Sequence, residues 1–100
     1  MLIRNAALDG YPGLLDLRLM HGCVREIGVG LVKGLYEAEM DLAGDELRPL
    51  TAETPLSPPM ARRWKATGGV CGPIAAGSPE PLVRWRNGRV IGLIHGRTGD

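Results

Sequence analysis

The residues in this chain best suited to metal or nucleophile chemistry are His21, His95, Cys23 and Cys71. A hydrolytic zinc centre needs at least three protein ligands and an open position for water. These four are scattered, and their spacing fits no zinc pattern. Cysteine is also among the most often buried residues, packing as a small hydrophobe. Cys71 paired with a histidine could act as a nucleophile, but no third group is suggested to orient the base. Gly68-Gly69-Val70-Cys71-Gly72-Pro73 has the glycine content of a phosphate-cradling loop. It lacks the Gly-Lys-Ser/Thr ending that such loops use and reads as a plain glycine loop. No catalytic residue, no metal and no cofactor is therefore expected.

Arg62-Arg63-Trp64-Lys65 and Arg84-Trp85-Arg86 interleave basic residues with indoles, and Arg89 follows closely. Such a surface can stack bases and contact phosphates. The commoner outcome is two buried tryptophans flanked by solvated arginines. Arg62, Arg63, Lys65, Arg84, Arg86 and Arg89 are the candidate contacts for an anion or a partner. Nucleic acid is the less favoured ligand, because buried tryptophans offer no stacking platform; the net charge of +1 argues neither way. Charge is nevertheless uneven along the chain. Residues 1–60 hold five Lys/Arg and nine Asp/Glu, net −4, and residues 61–100 hold seven and two, net +5. An acidic half and a basic half can mean that the two pack together.

The elements that position these residues are short. One hundred residues make one domain, and a chain of this size builds a modest core. Glycine (15) and proline (8) favour short strands with tight turns over long helices. With no Phe, the core must be aliphatic. Leu2–Ala6 reads as an edge strand. Leu15, Leu17 and Leu19 alternate with Asp16 and Arg18, which puts three leucines on one strand face. After a turn at His21-Gly22, Val24 and Ile27 are three apart. A one-residue bulge near Arg25-Glu26 would return both to the core. Gly28–Gly34 is a loop with Val29, Leu31 and Val32 as possible anchors. Tyr36–Leu42 alternates acidic and apolar residues as a third strand, a helix being the alternative. Ala43-Gly44-Asp45 turns into a short strand that Pro49 ends.

Residues 49–81 hold seven of the eight prolines. They form a long connection with one helical turn expected at Met60–Lys65, where Pro58-Pro59 suits a helix start. Leu82–Arg86, Asn87-Gly88 and Arg89–His95 form the strongest local pattern. Asn-Gly between alternating strands is a hairpin signal, because both turn residues tolerate positive φ. His95 to Asp100 read as a frayed tail. No internal repeat is apparent. The expected organisation is a single all-β domain, a small β-sandwich or half-open barrel. Residues 1–50 supply the first strands, 51–81 the connection and 82–95 the last hairpin.

The order Leu2-Ile3-Arg4-Asn5-Ala6, Asp16–Leu19, Val24–Gly28, Met40–Gly44 and Leu47-Arg48-Pro49, with Val83–Ile91 at the far end, resembles the amidohydrolase superfamily. In those metal-dependent hydrolases such strands form a composite β-sandwich beside a (β/α)₈ barrel. The resemblance implies strands from both chain ends in one sheet system. It also implies what is lacking. The family's His-x-His metal pair would fall near Pro55 and Ser57, neither a ligand, and the barrel of about 250 residues has no room here.

The expected role is thus a non-catalytic module acting through protein contacts, most simply as a homodimer. The alternatives are a module binding an anion or nucleic acid, and an accessory part of an amidohydrolase whose barrel another chain supplies. The N-terminus meets Arg4 and Asn5 too early for a signal peptide, and no apolar run approaches membrane length. A cytoplasmic protein with reduced cysteines is expected.

Overall fold

The computed structural model describes residues 1–51, 53–63 and 74–95. Strand β2 (Leu14–Met20) shows how the pattern works. Leu15, Leu17 and Leu19 are buried on one face, while Asp16 and Arg18 occupy the other, as a period of two requires. A turn at His21-Gly22 leads into β3 (Cys23–Gly28). Arg18 pairs with Glu26 and Leu19 with Val24, so Arg25 is the extra residue of the expected bulge.

Strand β1 (Leu2–Leu8) is central rather than an edge strand, which corrects the sequence-based expectation. It pairs antiparallel with β2 on one side. On the other it runs parallel to β4 (Glu39–Asp41) and then to β5 (Glu46–Pro49). Arg4 and Asn5 form a bulge in the β1–β2 ladder between Ile3 and Ala6. Asn5 takes a positive φ of 57°, and Asp16 Oδ1 accepts its N–H at 3.2 Å. A side-chain carboxylate thus replaces the missing ladder acceptor. Between β4 and β5, Leu42 N–H donates to the Arg4 carbonyl and Gly44 N–H to that of Asn5.

The expected third strand, Tyr36–Leu42, is shortened to Glu39–Asp41. Tyr36 has a φ of +88°, outside strand geometry, so the strand cannot begin there. Helix α1 spans Pro58–Arg63, with both prolines in its first turn. The C-terminal hairpin is β6 (Leu82–Arg86) and β7 (Arg89–Ile94) around Asn87-Gly88, both at positive φ. β6 pairs antiparallel with β5, so the chain's two ends lie in one sheet of order β3-β2-β1-β5-β6-β7. The sheet is mixed and not closed. Residues 77–80, just before β6, nevertheless reach the free side of β3. Val24 N–H donates to Ser78 and Gly77 N–H to the Val24 carbonyl, at 2.8 and 2.7 Å.

The core is aliphatic. Ile3, Leu17, Leu19, Val24, Leu42, Leu47 and Leu82 are almost wholly buried, drawn from both ends of the chain. Each such side chain contributes about 1.5–3 kcal/mol relative to exposure. Met40 and Ile27 pack against the cluster.

Candidate functional site

Three buried or half-buried carboxylates organise the charged groups of this domain. Asp16 lies on the polar face of β2. Its Oδ2 accepts from Arg4 Nη1 at 2.9 Å and from the Leu31 N–H at 3.0 Å, while Oδ1 holds Asn5. Glu37 follows the loop from Val29 to Tyr36. It takes Arg18 Nε at 2.9 Å and the Gly34 N–H at 2.9 Å. These donors, Arg18 first, hold its carboxyl at about 2, below the usual carboxylate range. Arg18 also contacts Glu26 and donates to the Val32 carbonyl. Its guanidinium is correspondingly held more firmly protonated. Arg4 bridges Glu39 at 2.9 Å and donates to the Leu31 carbonyl at 3.0 Å.

The result is a loop lying across the polar face of β1 and β2, fastened through its backbone. Leu31 uses both its N–H and its carbonyl, and Val32 its carbonyl. The side chains depart from the sequence-based expectation at two of the three proposed anchors. Val29 and Val32, expected to anchor the loop, are 82% and 83% exposed, and Leu35 and Tyr36 are 83% and 99% exposed. Leu31 alone is half-buried. The physical reason is that β1 and β2 present Arg4, Asp16 and Arg18 on this face. Those groups recruit peptide dipoles, not methyl groups.

The third carboxylate, Asp45, ends the turn before β5. Its oxygens accept from Arg84 Nε at 2.7 Å, and from Arg86 Nε and Nη2 at 2.9 and 2.8 Å. The Arg86 bond, with that of Arg84 behind it, keeps this carboxyl at about 2 despite its burial. The acidic first half and the basic second half meet here. Arg84 and Arg86, candidates for an outside anion, are brought together on an internal one. Arg48 stacks over the Trp85 ring, 4.5 Å from its centroid, and is bonded to Glu46. A cleft of about 250 Å³ lies beside this cluster, lined by Asp45, Trp85, Arg86 and the Asn87-Gly88 turn among others.

Arg89 is exposed at the start of β7, opposite Arg86 in the ladder. The side chains of Arg62 and Arg63 lie outside the described residues, as do Trp64, Lys65, Cys71, the whole Gly68–Pro73 loop and the tail after His95. His21 is exposed in its turn at φ +55°, and Cys23 is half-buried with Sγ 3.6 Å from the Met20 carbonyl. His95, expected at the start of the frayed tail, is instead buried just after β7. Among the described residues no three His, Cys, Asp or Glu gather in a way that could hold a metal ion. No helix among them is long and apolar enough to cross a membrane.

Sequence reasoning missed the roles of Asp16, Glu37 and Asp45. The signal available for Asp45 was the opposite charge of the two halves. For Asp16 and Glu37 nothing in local spacing pointed to a loop held by its carbonyls. No family model, no curated protein and no solved structure matches this chain.

Proposed function

We propose that this chain is a non-catalytic β-sandwich module that acts through protein contacts, in the first place with a second copy of itself. One observation carries the reading: three carboxylates are occupied by internal donors, while one loop turns its large apolar side chains outward. Asp16, Glu37 and Asp45 each take two or more internal donors. Meanwhile Val29, Val32, Leu35 and Tyr36 stand open to solvent in one loop. Isolated apolar residues on a surface mean little. Four in eight residues approach the largest apolar patch usual for a monomer.

The joining of first and last strands in one sheet supports the resemblance to the composite domain of amidohydrolases. The positions where that resemblance would place a metal pair, Pro55 and Ser57, carry no ligand. An anion-binding role finds less support, because Arg84 and Arg86 already share the Asp45 carboxylate, which leaves one positive charge between the two. Light scattering coupled to size exclusion, run across a concentration series at low and high salt, tests the reading. A dimer that persists in high salt is expected, since apolar contacts are not screened. A monomer at every concentration would sink it. So would tight retention on a polyanionic resin that collapses with salt, the signature of phosphate contacts.

A further inference from the structure

We infer that the loop from Val29 to Tyr36 is the self-association surface, meeting the same loop of a second copy about a two-fold axis. The inference rests on the protein-contact reading above and adds to it the place and the mode of contact.

The loop is built for presentation. An ordinary mobile loop would lose conformational freedom on binding, and that cost weakens an interface. This one is already held. Arg4 donates to the Leu31 carbonyl and Arg18 to that of Val32, and Asp16 accepts the Leu31 N–H. Gly34 and Glu37 close the C-terminal end with two further bonds, the Glu37 carboxylate taking the Gly34 N–H and the Gly34 carbonyl taking the Glu37 N–H. With the backbone fixed from beneath, the four apolar side chains stand away from the domain.

Tyr36 adds an independent observation. It is a bulky residue at φ +88°, a conformation costly for any side chain, yet the side chain is 99% exposed. Nothing within the domain is gained by placing a tyrosine there, where glycine would fit without strain. Strain of this kind gathers at functional positions, and tyrosine is among the residue types enriched in interface centres.

The occupant is a second copy on grounds of area and charge. All four side chains are more than four-fifths exposed, and the tyrosine alone offers roughly 150–250 Å². A standard interface buries about 800 Å² on each partner, so the loop with a modest rim suffices. A two-fold contact uses one patch twice and must be self-complementary. Lys33, exposed in the loop, makes no ion pair among the described residues. Glu26 and Glu39, on Arg18 and Arg4 at the loop's base, are 53% and 40% exposed. Across the axis, Lys33 of each copy would lie against the solvent-facing oxygens of these already paired carboxylates.

The test uses the full chain in sedimentation equilibrium. Val32→Glu with Leu35→Glu puts four charges at the axis and should raise the dimer dissociation constant at least roughly a hundredfold. Tyr36→Gly should weaken the dimer at least about tenfold. Its thermal midpoint, measured where the protein is monomeric, should stay level or rise as the strained φ is relieved. Ile91→Lys, on the exposed edge strand β7, should leave the dimer unchanged. A dimer that survives Val32→Glu/Leu35→Glu, or that Ile91→Lys alone disrupts, overturns this inference while leaving self-association standing. A wild-type monomer removes both.

Discussion

Replacing Leu82 by alanine probes the claim that both ends of this polypeptide form one cooperative unit. Leu82 is fully buried at the seam, opposite Pro49 of β5 and Ile94 of β7. Truncation removes three carbons, worth about 0.8 kcal/mol each on transfer from water. A cavity of some tens of Å³ adds up to about 1.5 kcal/mol if the surroundings do not collapse. The expected loss is thus about 3–4 kcal/mol, a large share of the roughly 5–15 kcal/mol that holds a domain of this kind folded. It corresponds to a fall in melting temperature of roughly 12–30 °C. Ile91→Ala, in the same hairpin but 43% exposed, should cost under about 1 kcal/mol. Urea unfolding followed together by far-ultraviolet circular dichroism and tryptophan fluorescence measures both. The two probes should report one transition, displaced by the same amount in Leu82→Ala. If Leu82→Ala costs less than about 1 kcal/mol, or the signals separate into two transitions, the hairpin is an appendage and the seam is not a core.

Two further outcomes follow from the carboxylates. Glu37 and Asp45 sit at about 2 in the folded state, against about 4 in an unfolded chain. Their folded values are lowered, so the stability they give is present above about pH 4 and lost as pH falls toward about 2. The urea midpoint should therefore drop on acidification from pH 5 to pH 2, less so in Glu37→Gln; a midpoint flat over that range contradicts the assignment. Asp45→Asn should strip Arg84 and Arg86 of their counter-charge and make the variant elute from a heparin column at higher salt than wild type. Equal elution would mean that these guanidiniums are not held by Asp45 in solution.

Much of the fold was legible because local rules decided it. The leucine alternation of β2, the bulge at Arg25 and the Asn87-Gly88 hairpin each depend on residues close in sequence. Central placement of β1 was not legible. Arg4 and Asn5 interrupt its apolar run and look like the polar middle of an edge strand. Their place inside the sheet depends on Asp16, which supplies an acceptor where the ladder lapses. The loop surface was inverted for a related reason. Val29 and Val32 are hydrophobic, and burial is the ordinary expectation for them. What fixes the loop is the demand of Arg4 and Arg18 for acceptors, which peptide carbonyls meet without regard to side-chain type. A backbone contact of this kind leaves no mark on composition or period. Asp45 reads as a turn residue and is also a clamp on arginines 39 and 41 positions away.

The direction of the resolved ionisation shifts bears on the proposed role. Glu37, Asp41 and Asp45 are lowered, while Arg4, Arg18, Arg48 and Arg86 are raised. Each moves away from neutrality, and each owes its shift first to a hydrogen bond with the charged form. A general acid or base needs the opposite treatment, a carboxyl raised or a cation lowered toward the working pH. At these seven positions hydrogen bonds favour the charged form, which suits a structural fastener. The fasteners divide into two sets with different consequences. Asp45 with Arg84 and Arg86 ties the last strands to the first, so its failure would loosen the domain as a whole. Asp16 and Glu37 with Arg4 and Arg18 tie down a loop whose apolar side chains contribute almost nothing to the core. Ordering that loop is costly in conformational entropy, and within a lone monomer only the half-buried Leu31 brings apolar burial in return. In the proposed dimer that cost would be recovered as a second molecule covers Val29, Val32, Leu35 and Tyr36. That is why the anchoring of an exposed loop, more than its hydrophobicity alone, points to association.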